Sequence, residues 1–184
     1  FQDKTTEQIV TEVLTKAGLA ADSFRFVLKD GYAPRNYCVQ YRETDLAFVS
    51  RLLEEDGIFY FFEHENDKHI WVMADQAQAH GSIGGDPTLW FNPPLGSVQD
   101  REHIKSFRFG GRVRSGKVSL RDVNLHKPDV AMEVKDAAKS GAELEVYDYP
   151  GEYQEPGRAG PHQGQSLAKI RLEEVQATRK LGAG

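Results

Sequence analysis

Residues 37–63 constrain the fold more than any other stretch of the chain, because three elements follow one another there at fixed spacing. Residues 37–42 alternate between aromatic or β-branched side chains and other side chains, which predicts a half-buried strand. Thr44 is the predicted N-cap of a helix, and Gly57 lies where a glycine can adopt the left-handed C-cap conformation. The apolar run 58–62 then predicts a buried strand, so the whole stretch predicts strand, helix, strand. The helical residues that recur at three- and four-residue steps are Leu46, Val49, Leu52 and Leu53.

The N-terminal residues predict a capped helix and a short strand. Thr5 and Gln8 have the spacing of a capping box, and Gly18 marks the end of the helix. Residues 24–28 alternate and predict a strand that leads towards residues 37–63. The apolar face of this first helix is expected to contain Ile9, Val10, Val13, Leu14 and Ala17.

The remaining chain predicts a hairpin, a long loop and a β-rich half. The polar loop 64–69 precedes a second apolar run, 70–73, which predicts a β-hairpin. Residues 76–100 contain four Gly and three Pro, and Trp90 is expected to hold this loop against the body. Beyond it, alternating runs broken by turn residues predict a β meander or barrel, and a weaker amphipathic helix follows from His162. The predicted strands are 104–109, 117–125, 130–135 and 143–149, and the apolar helical residues are Leu167, Ala168, Leu172 and Val175.

These elements predict an α+β fold that is mainly antiparallel β with a few helices. We expect two parts. Residues 1–100 have the order helix, strand, helix, strand and hairpin and end in the long loop, whereas residues 101–184 form a β-rich portion with the C-terminal helix. At 184 residues, of which 39% are hydrophobic, the chain is long enough to bury a substantial core.

Composition disfavours several classes of protein. No stretch approaches the roughly 18 apolar residues that cross a bilayer, and no basic and apolar signal sequence is found at the start. The net charge of −5 argues against general nucleic-acid binding. The single cysteine, Cys38, has no second cysteine to pair with, and its place in an alternating segment predicts a small packing residue.

A set of short motifs in fixed order carries a family resemblance. The motifs are YCVQY at 37–41, ETDL at 43–46, FV at 48–49, RLLEE at 51–55, GI at 57–58 and FEH at 62–64. A YDYPG turn at 147–151 and a Gly-rich entry into the last helix follow. Together, and over nearly the whole chain, these motifs resemble the VgrG family of type VI secretion spike proteins and, more distantly, the hub proteins of contractile phage tails.

The resemblance implies a fold and a role. The implied fold is the barrel-containing hub body of phage tails, and the implied role is that of a non-enzymatic structural hub in a homotrimeric spike. Such a hub joins a needle to a tube of Hcp-like rings, carries effector proteins or a fused effector domain, and is driven through a target-cell membrane. The protein would be made in the cytoplasm without a signal peptide and secreted through the type VI apparatus.

Three further expectations accompany that interpretation. The chain begins at Phe1 without a methionine, and we therefore expect a fragment of a longer spike protein. A tail hub protein of a phage or prophage is an alternative, because fold and role overlap. An enzyme that hydrolyses cell-wall glycan is a more distant alternative.

The strongest candidate for an interaction surface is a basic segment. Residues 101–121 contain seven Lys or Arg and one acid, Glu102. On the first predicted strand the arginines point to one face of the sheet, and Phe107 and Phe109 point to the other. The polar side chains of the next strand, which include Ser119, continue the first face. The segment therefore predicts an electropositive sheet face. The candidate subunit or partner contacts are Arg108, Arg112, Arg114, Lys117 and Arg121. A merely solvated face is the alternative, and nucleic acid ranks last because no aromatic residues are interleaved on that face.

Two other groups of residues are candidates for chemistry. His64 and His69 face each other across the predicted hairpin, but a zinc site needs a third fixed ligand, so we expect no metal. The carboxylates suit the two-carboxylate chemistry of glycoside hydrolysis, but we expect them to be solvated. No nucleophile or phosphate-binding motif is present, so no catalytic, cofactor-binding or metal residue is assigned. The carboxylates in question are Glu54, Glu55, Asp56 and Glu63.

Overall fold

A computed structural model describes residues 1–82, 84–93, 102–153 and 164–183. Its elements form two hydrophobic cores, one in each half of the chain. The helices are α1 (Thr6–Lys16), α2 (Asp45–Glu55) and α3 (Gly164–Ala177). The strands are β1 (Phe24–Val27), β2 (Phe59–His64), β3 (His69–Ala74), β4 (Trp90–Phe91), β5 (His103–Ile104), β6 (Arg108–Gly111), β7 (Lys117–Arg121), β8 (Glu133–Ala137), β9 (Glu145–Asp148) and β10 (Lys180–Ala183).

Helix α1 begins at the predicted capping box. The backbone N–H of Gln8 donates to the Thr5 hydroxyl at 3.2 Å, and the backbone N–H of Thr5 donates to the Gln8 side chain at 3.0 Å. The predicted apolar face is buried except for Ala17, which is exposed because the helix ends at Lys16 and Ala17 is its C-cap. The buried apolar residues of α1 are Ile9, Val10, Val13 and Leu14.

Helix α2 is also capped as predicted, but its buried face differs by one residue. The Thr44 hydroxyl accepts from the backbone N–H of Ala47 at 3.2 Å, and Gly57 adopts a φ of +71° just past the helix end. Leu46 lies in the first turn and is 59% exposed, so its prediction as a core residue is wrong. Phe48 takes its place, fully buried and stacked on Phe1. The remaining buried residues of α2 are Val49, Leu52 and Leu53.

Residues 37–42 do not form the predicted strand. The alternation is present, but the buried position is Cys38, whereas Tyr37 and Tyr41 are 71% and 68% exposed. The cause is that this segment joins no sheet; the backbone N–H of Cys38 instead donates to the carbonyl oxygen of Phe1 at 2.9 Å. Cys38 is confirmed as a packing residue, and burial raises the pKa of its thiol.

The first sheet has the strand order β1-β3-β2. Strands β2 and β3 form the predicted antiparallel hairpin, while β1 pairs with β3 in parallel. Residues 58–62 were predicted to be buried, yet Phe62 is 50% exposed because β2 lies at the sheet edge. The central strand β3 is buried from Ile70 to Ala74 instead.

The second core is a three-stranded sheet covered by α3. Its order is β8-β7-β9, with β7 antiparallel to β8 and parallel to β9. Tyr153 fills the space between sheet and helix, and a Cβ on Gly151 or Gly164 would lie 2.7 or 2.6 Å from its ring, so glycine is required at both positions. Leu167 and Val175 of the predicted helix are only partly buried. The other core residues are Val118, Leu120, Met132, Val134, Ala168 and Leu172.

The remaining described strands form two small ribbons of two strands each. Strand β4 pairs with β5 in parallel, and Trp90 in β4 is 55% exposed; that its side chain holds the long loop against the body stays a prediction. Strand β10, which the sequence did not predict, pairs with β6 in an antiparallel ribbon. The expected α+β class is confirmed and the longest ladders are antiparallel, but no closed barrel is found in the part of the chain that the structure describes. The expected boundary at residues 100 and 101, and His162, lie outside the described residues.

No helix in the described ranges is long and apolar enough to cross a membrane.

Candidate interface

The five predicted contact residues lie in two different sheets. Arg108 is in β6, Arg112 and Arg114 follow that strand, and Lys117 and Arg121 are the first and last residues of β7. Strand β6 pairs with β10, whereas β7 lies between β8 and β9. The prediction that the basic side chains share one sheet face across two neighbouring strands is therefore wrong, and the basic residues form smaller groups.

The break between the two strands is fixed at Gly116. Its backbone N–H donates to the carbonyl oxygen of Gly141 at 2.8 Å, and a Cβ at this position would lie 2.4 Å from backbone atoms of Ser140 and Gly141. Real Cβ atoms do not approach backbone this closely, so the position requires glycine. This contact holds the start of β7 against the loop that precedes β9 and leads the chain away from the β6 sheet.

Lys117 has a partner on the neighbouring strand. Its Nζ lies 3.1 Å from Glu145 in β9, and the Ser119 hydroxyl donates to the same carboxylate. The hydrogen bond from Ser119, and then the one from Lys117, lower the pKa of Glu145. Lys117 thus helps to join β7 to β9.

Arg112 and Arg114 line an open cavity of about 400 Å³, which the sequence did not predict. Arg179 and Lys180 line the same cavity, and the backbone N–H of Arg112 donates to the carbonyl oxygen of Arg179 at 2.9 Å. Neither of these two residues was predicted as a contact, because the sequence did not predict β10. The signal that could have found them is the Arg179–Lys180 pair itself, which extends the basic composition past the last helix.

The ribbon formed by β6 and β10 is exposed along its whole length. Phe109 is 68% exposed, and Phe107 and Leu181 are exposed beside it. The Phe107 ring covers Gly182 so closely that a Cβ there would lie 2.9 Å from it. Within the described ranges each of these strands has one neighbour. An exposed apolar ribbon with free strand edges is typical of a surface that meets another chain.

Three of the four candidate catalytic carboxylates are paired with arginines, whereas Glu54 is exposed as expected. Arg35 contacts Glu55 at 2.5 Å and Asp56 at 3.0 Å, and its Nε donates to the hydroxyl of buried Thr6 at 3.1 Å. The Asp56 side chain is only 4% exposed, so the expectation that this carboxylate is solvated is wrong. Glu63 lies 2.7 Å from Arg25. The Arg35 contacts join α1, the segment before α2 and the end of α2, and the Glu63 pair joins β2 to β1, so both are structural uses of the carboxylates.

A second arginine extends the same network. Arg51 contacts Glu43 at 2.7 Å and Glu55 at 3.1 Å. The hydrogen bond from Arg51 lowers the pKa of Glu43. Glu55 therefore bridges Arg35 and Arg51, and α2 is held in place by ion pairs as well as by its buried apolar face.

The two histidines of the hairpin are in contact. His64 and His69 lie opposite each other in the β2–β3 register, with their Nδ1 atoms 2.6 Å apart. No group of three or more potential metal ligands is found in the part of the chain that the structure describes.

Comparison with known proteins gives a family match over the whole chain. The family model described as phage tail baseplate hub (GPD) matches residues 1–184. The crystal structure of the tail protein from Neisseria meningitidis MC58 is similar with a TM-score of 0.51 at 14% identity, over 97% of this chain and 48% of that one. At this identity the likeness shows the fold alone.

Curated relatives are similar over the same length. Type VI secretion system spike protein VgrG4b of Pseudomonas aeruginosa is 38% identical over 188 residues, which cover 100% of this chain and 22% of the relative. VgrG1a of the same species is 34% identical over 180 residues, which cover 96% of this chain and 27% of the relative. The chain thus spans about a quarter of the length of these relatives.

Proposed function

The chain belongs to the phage tail baseplate hub (GPD) family, and from this premise we propose that it is part of the hub of a type VI secretion spike. The observation that carries the proposal is similarity to named spike proteins at 34% and 38% identity over 96% and 100% of the chain. In this role the hub forms a homotrimer, joins a needle to an Hcp-like tube, and is secreted through the apparatus with its effectors into a target cell.

We propose that the work of this part is mechanical and not enzymatic. In support, Glu55 and Asp56 are held by Arg35, and Glu63 is held by Arg25. Glycoside hydrolysis requires two carboxylates that flank a sugar, and carboxylates held by arginines are poorly placed for that chemistry. Release of sugar from peptidoglycan by the purified protein, lost in Glu63→Gln, would contradict this part of the proposal.

We also propose that residues 1–100 and 101–184 are separate subdomains. Each has its own hydrophobic core, built from α1, α2, β1 and β3 in one part and from β7, β8 and α3 in the other. The Ile170 side chain of α3 touches Gly57, where a Cβ would lie 3.0 Å from it. The two parts therefore meet at the end of α2.

The proposed subunit or partner contacts remain Arg108, Arg112, Arg114, Lys117 and Arg121. Of these, Lys117 is expected to contribute least, because Glu145 already pairs with it. The cations are expected to meet an acidic surface of another protomer or of the tube. High salt should weaken that association, because the Debye length falls from about 10 Å at 0.1 M to about 3 Å at 1 M. Association that is insensitive to ionic strength would contradict these contacts.

A phage or prophage tail hub is the second candidate, because the matching family model carries that description. A purified full-length protein that assembles on Hcp-like rings would favour the secretion spike, and one that assembles only on a phage tail tube would favour the alternative.

The mass of the full-length protein in solution, measured by light scattering, tests the hub proposal. We expect a trimer. A monomer at every salt concentration would contradict the three-fold premise shared by both hub candidates.

A further inference from the structure

The cavity beside the β6 and β10 ribbon has a strong excess of positive charge. Four cations line it and only one carboxylate, Glu143, lies on its wall. Within the described ranges none of the four cations forms an ion pair, and their one side-chain hydrogen bond to another side chain is donated by Arg179 to Gln176 at 3.4 Å. Because four cations line the cavity without carboxylate partners in the described ranges, the cavity favours an anionic occupant. The four cations are Arg112, Arg114, Arg179 and Lys180.

Arg114 is the feature that distinguishes this cavity from an ordinary basic surface. Its Nε is buried and has no hydrogen-bond partner. A buried N–H of a guanidinium that lacks an acceptor is destabilising, and most such groups in folded proteins are paired. Because Arg114 lines the cavity, a carboxylate there would give its guanidinium a charge-assisted partner that the chain itself does not supply.

The wall of the cavity is also apolar. Phe109, Val113 and Leu144 line it and are exposed. A free inorganic anion gains nothing from these side chains, whereas an acidic peptide with an apolar residue beside its carboxylate contacts both kinds of surface. A volume of about 400 Å³ lies at the small end of the range for binding pockets and accommodates a few residues of such a peptide.

We propose that this cavity binds an acidic segment of a partner protein, with a carboxylate on Arg114 and Lys180 and an apolar side chain against Phe109 and Val113. The occupant is defined by its chemistry: an extended segment in which aspartate or glutamate alternates with an aliphatic residue. The proposal does not depend on three-fold assembly. A monomeric protein that binds such a segment would support the cavity proposal and contradict the hub function.

The test uses the purified full-length protein and a fluorescein-labelled peptide that alternates glutamate with leucine, followed by fluorescence anisotropy at low salt. Arg114→Gln and Lys180→Gln should each weaken binding by about tenfold, because each removes a charged partner of the carboxylates. Lys127→Gln is the matched control: it removes an exposed cation outside the cavity and should leave affinity unchanged. Glu143→Gln should strengthen binding, because it removes the one anion on the wall.

Three results would overturn the proposal. One is an absence of peptide binding by the full-length protein. Another is equal binding of a peptide with glutamine in place of glutamate, which would leave only an apolar surface. The last is competition by inorganic phosphate or a single-stranded oligonucleotide as strong as that by unlabelled peptide, which would indicate a general anion site. Lys180→Gln keeps the test valid if Arg114→Gln fails to fold, because Lys180 is exposed.

Discussion

The region around α2 and the ribbon formed by β6 and β10 differ in where their side chains find partners. In α2 the apolar residues Leu52 and Leu53 are buried within the chain, and Glu55 is paired with arginines. In the ribbon every residue is exposed, and cations beside it lack carboxylate partners within the described ranges. The region around α2 is therefore stabilised by its own chain, whereas the ribbon has the properties of a surface that another chain completes.

The largest effect is expected from Leu52→Ala. The side chain is fully buried against α1 and the first sheet, so the variant should lose about 2 to 5 kcal/mol of unfolding free energy. Chemical denaturation measures it. Leu46→Ala on the same helix and Phe109→Ala in the ribbon are controls that should each change stability by about 0.5 kcal/mol or less, because both residues are exposed. Equal losses in all three variants would remove the distinction between the two regions.

Arg35→Met should cost about 3 kcal/mol, because it leaves the nearly buried Asp56 carboxylate without its guanidinium. Arg25→Met is the control: its ion pair with Glu63 is partly exposed and should contribute less than about 1 kcal/mol. Thermal unfolding of the two variants compares them. If Arg35→Met were as stable as Arg25→Met, the charge network of the first region would not be structural.

Gly116→Ala should cost about 1 to 3 kcal/mol, because its Cβ would collide with backbone at Gly141. A loss of this size in unfolding free energy would show that the second half is stabilised at the start of β7 and not in the ribbon. Gly81→Ala, where nothing lies within 4 Å of the added atom, should be nearly neutral. A neutral Gly116→Ala in urea unfolding would show that the approach of these two backbones is not required.

The smallest effect is expected from Glu12→Gln on α1. Hydrogen bonds from Lys16 and then from Lys4 lower the pKa of Glu12 from 4.5 to about 2. Because the folded-state pKa lies below the ordinary value, the contribution is present above about pH 4.5 and is lost as the pH falls towards 2. The stability difference between the parent protein and the variant should therefore shrink across that window in acid denaturation. A difference independent of pH would contradict the assigned ion pairs.

Local signals in the sequence predicted part of the fold correctly. The caps at Thr5 and Thr44 and the glycine at Gly57 were found because the groups that they satisfy lie within a few residues. The same holds for the hairpin of β2 and β3, whose strands are adjacent in the chain.

Long-range contacts decided the rest. Arg35 and Asp56 are 21 residues apart, and β6 and β10 pair although the whole second core lies between them in the chain. Residues 37–42 join no sheet within the described ranges, and the hydrogen bond that the Cys38 backbone N–H donates to the Phe1 carbonyl oxygen is one that no local pattern records. The cavity itself was not predicted for the same reason: Arg112 and Arg114 were predicted as contacts, but the other two cations lie just before β10 and at its start.

Amide hydrogen exchange of the full-length protein, in its assembled and salt-dissociated forms, tests the contrast between the two regions most directly. We expect the amides of β3 to exchange slowly in both forms, because that strand is central and buried. The amides of β6 and β10 should exchange more slowly in the assembled form than in the dissociated form, because assembly would cover the exposed ribbon. Equal exchange of β6 and β10 in the two forms would contradict the claim that this ribbon is a contact surface.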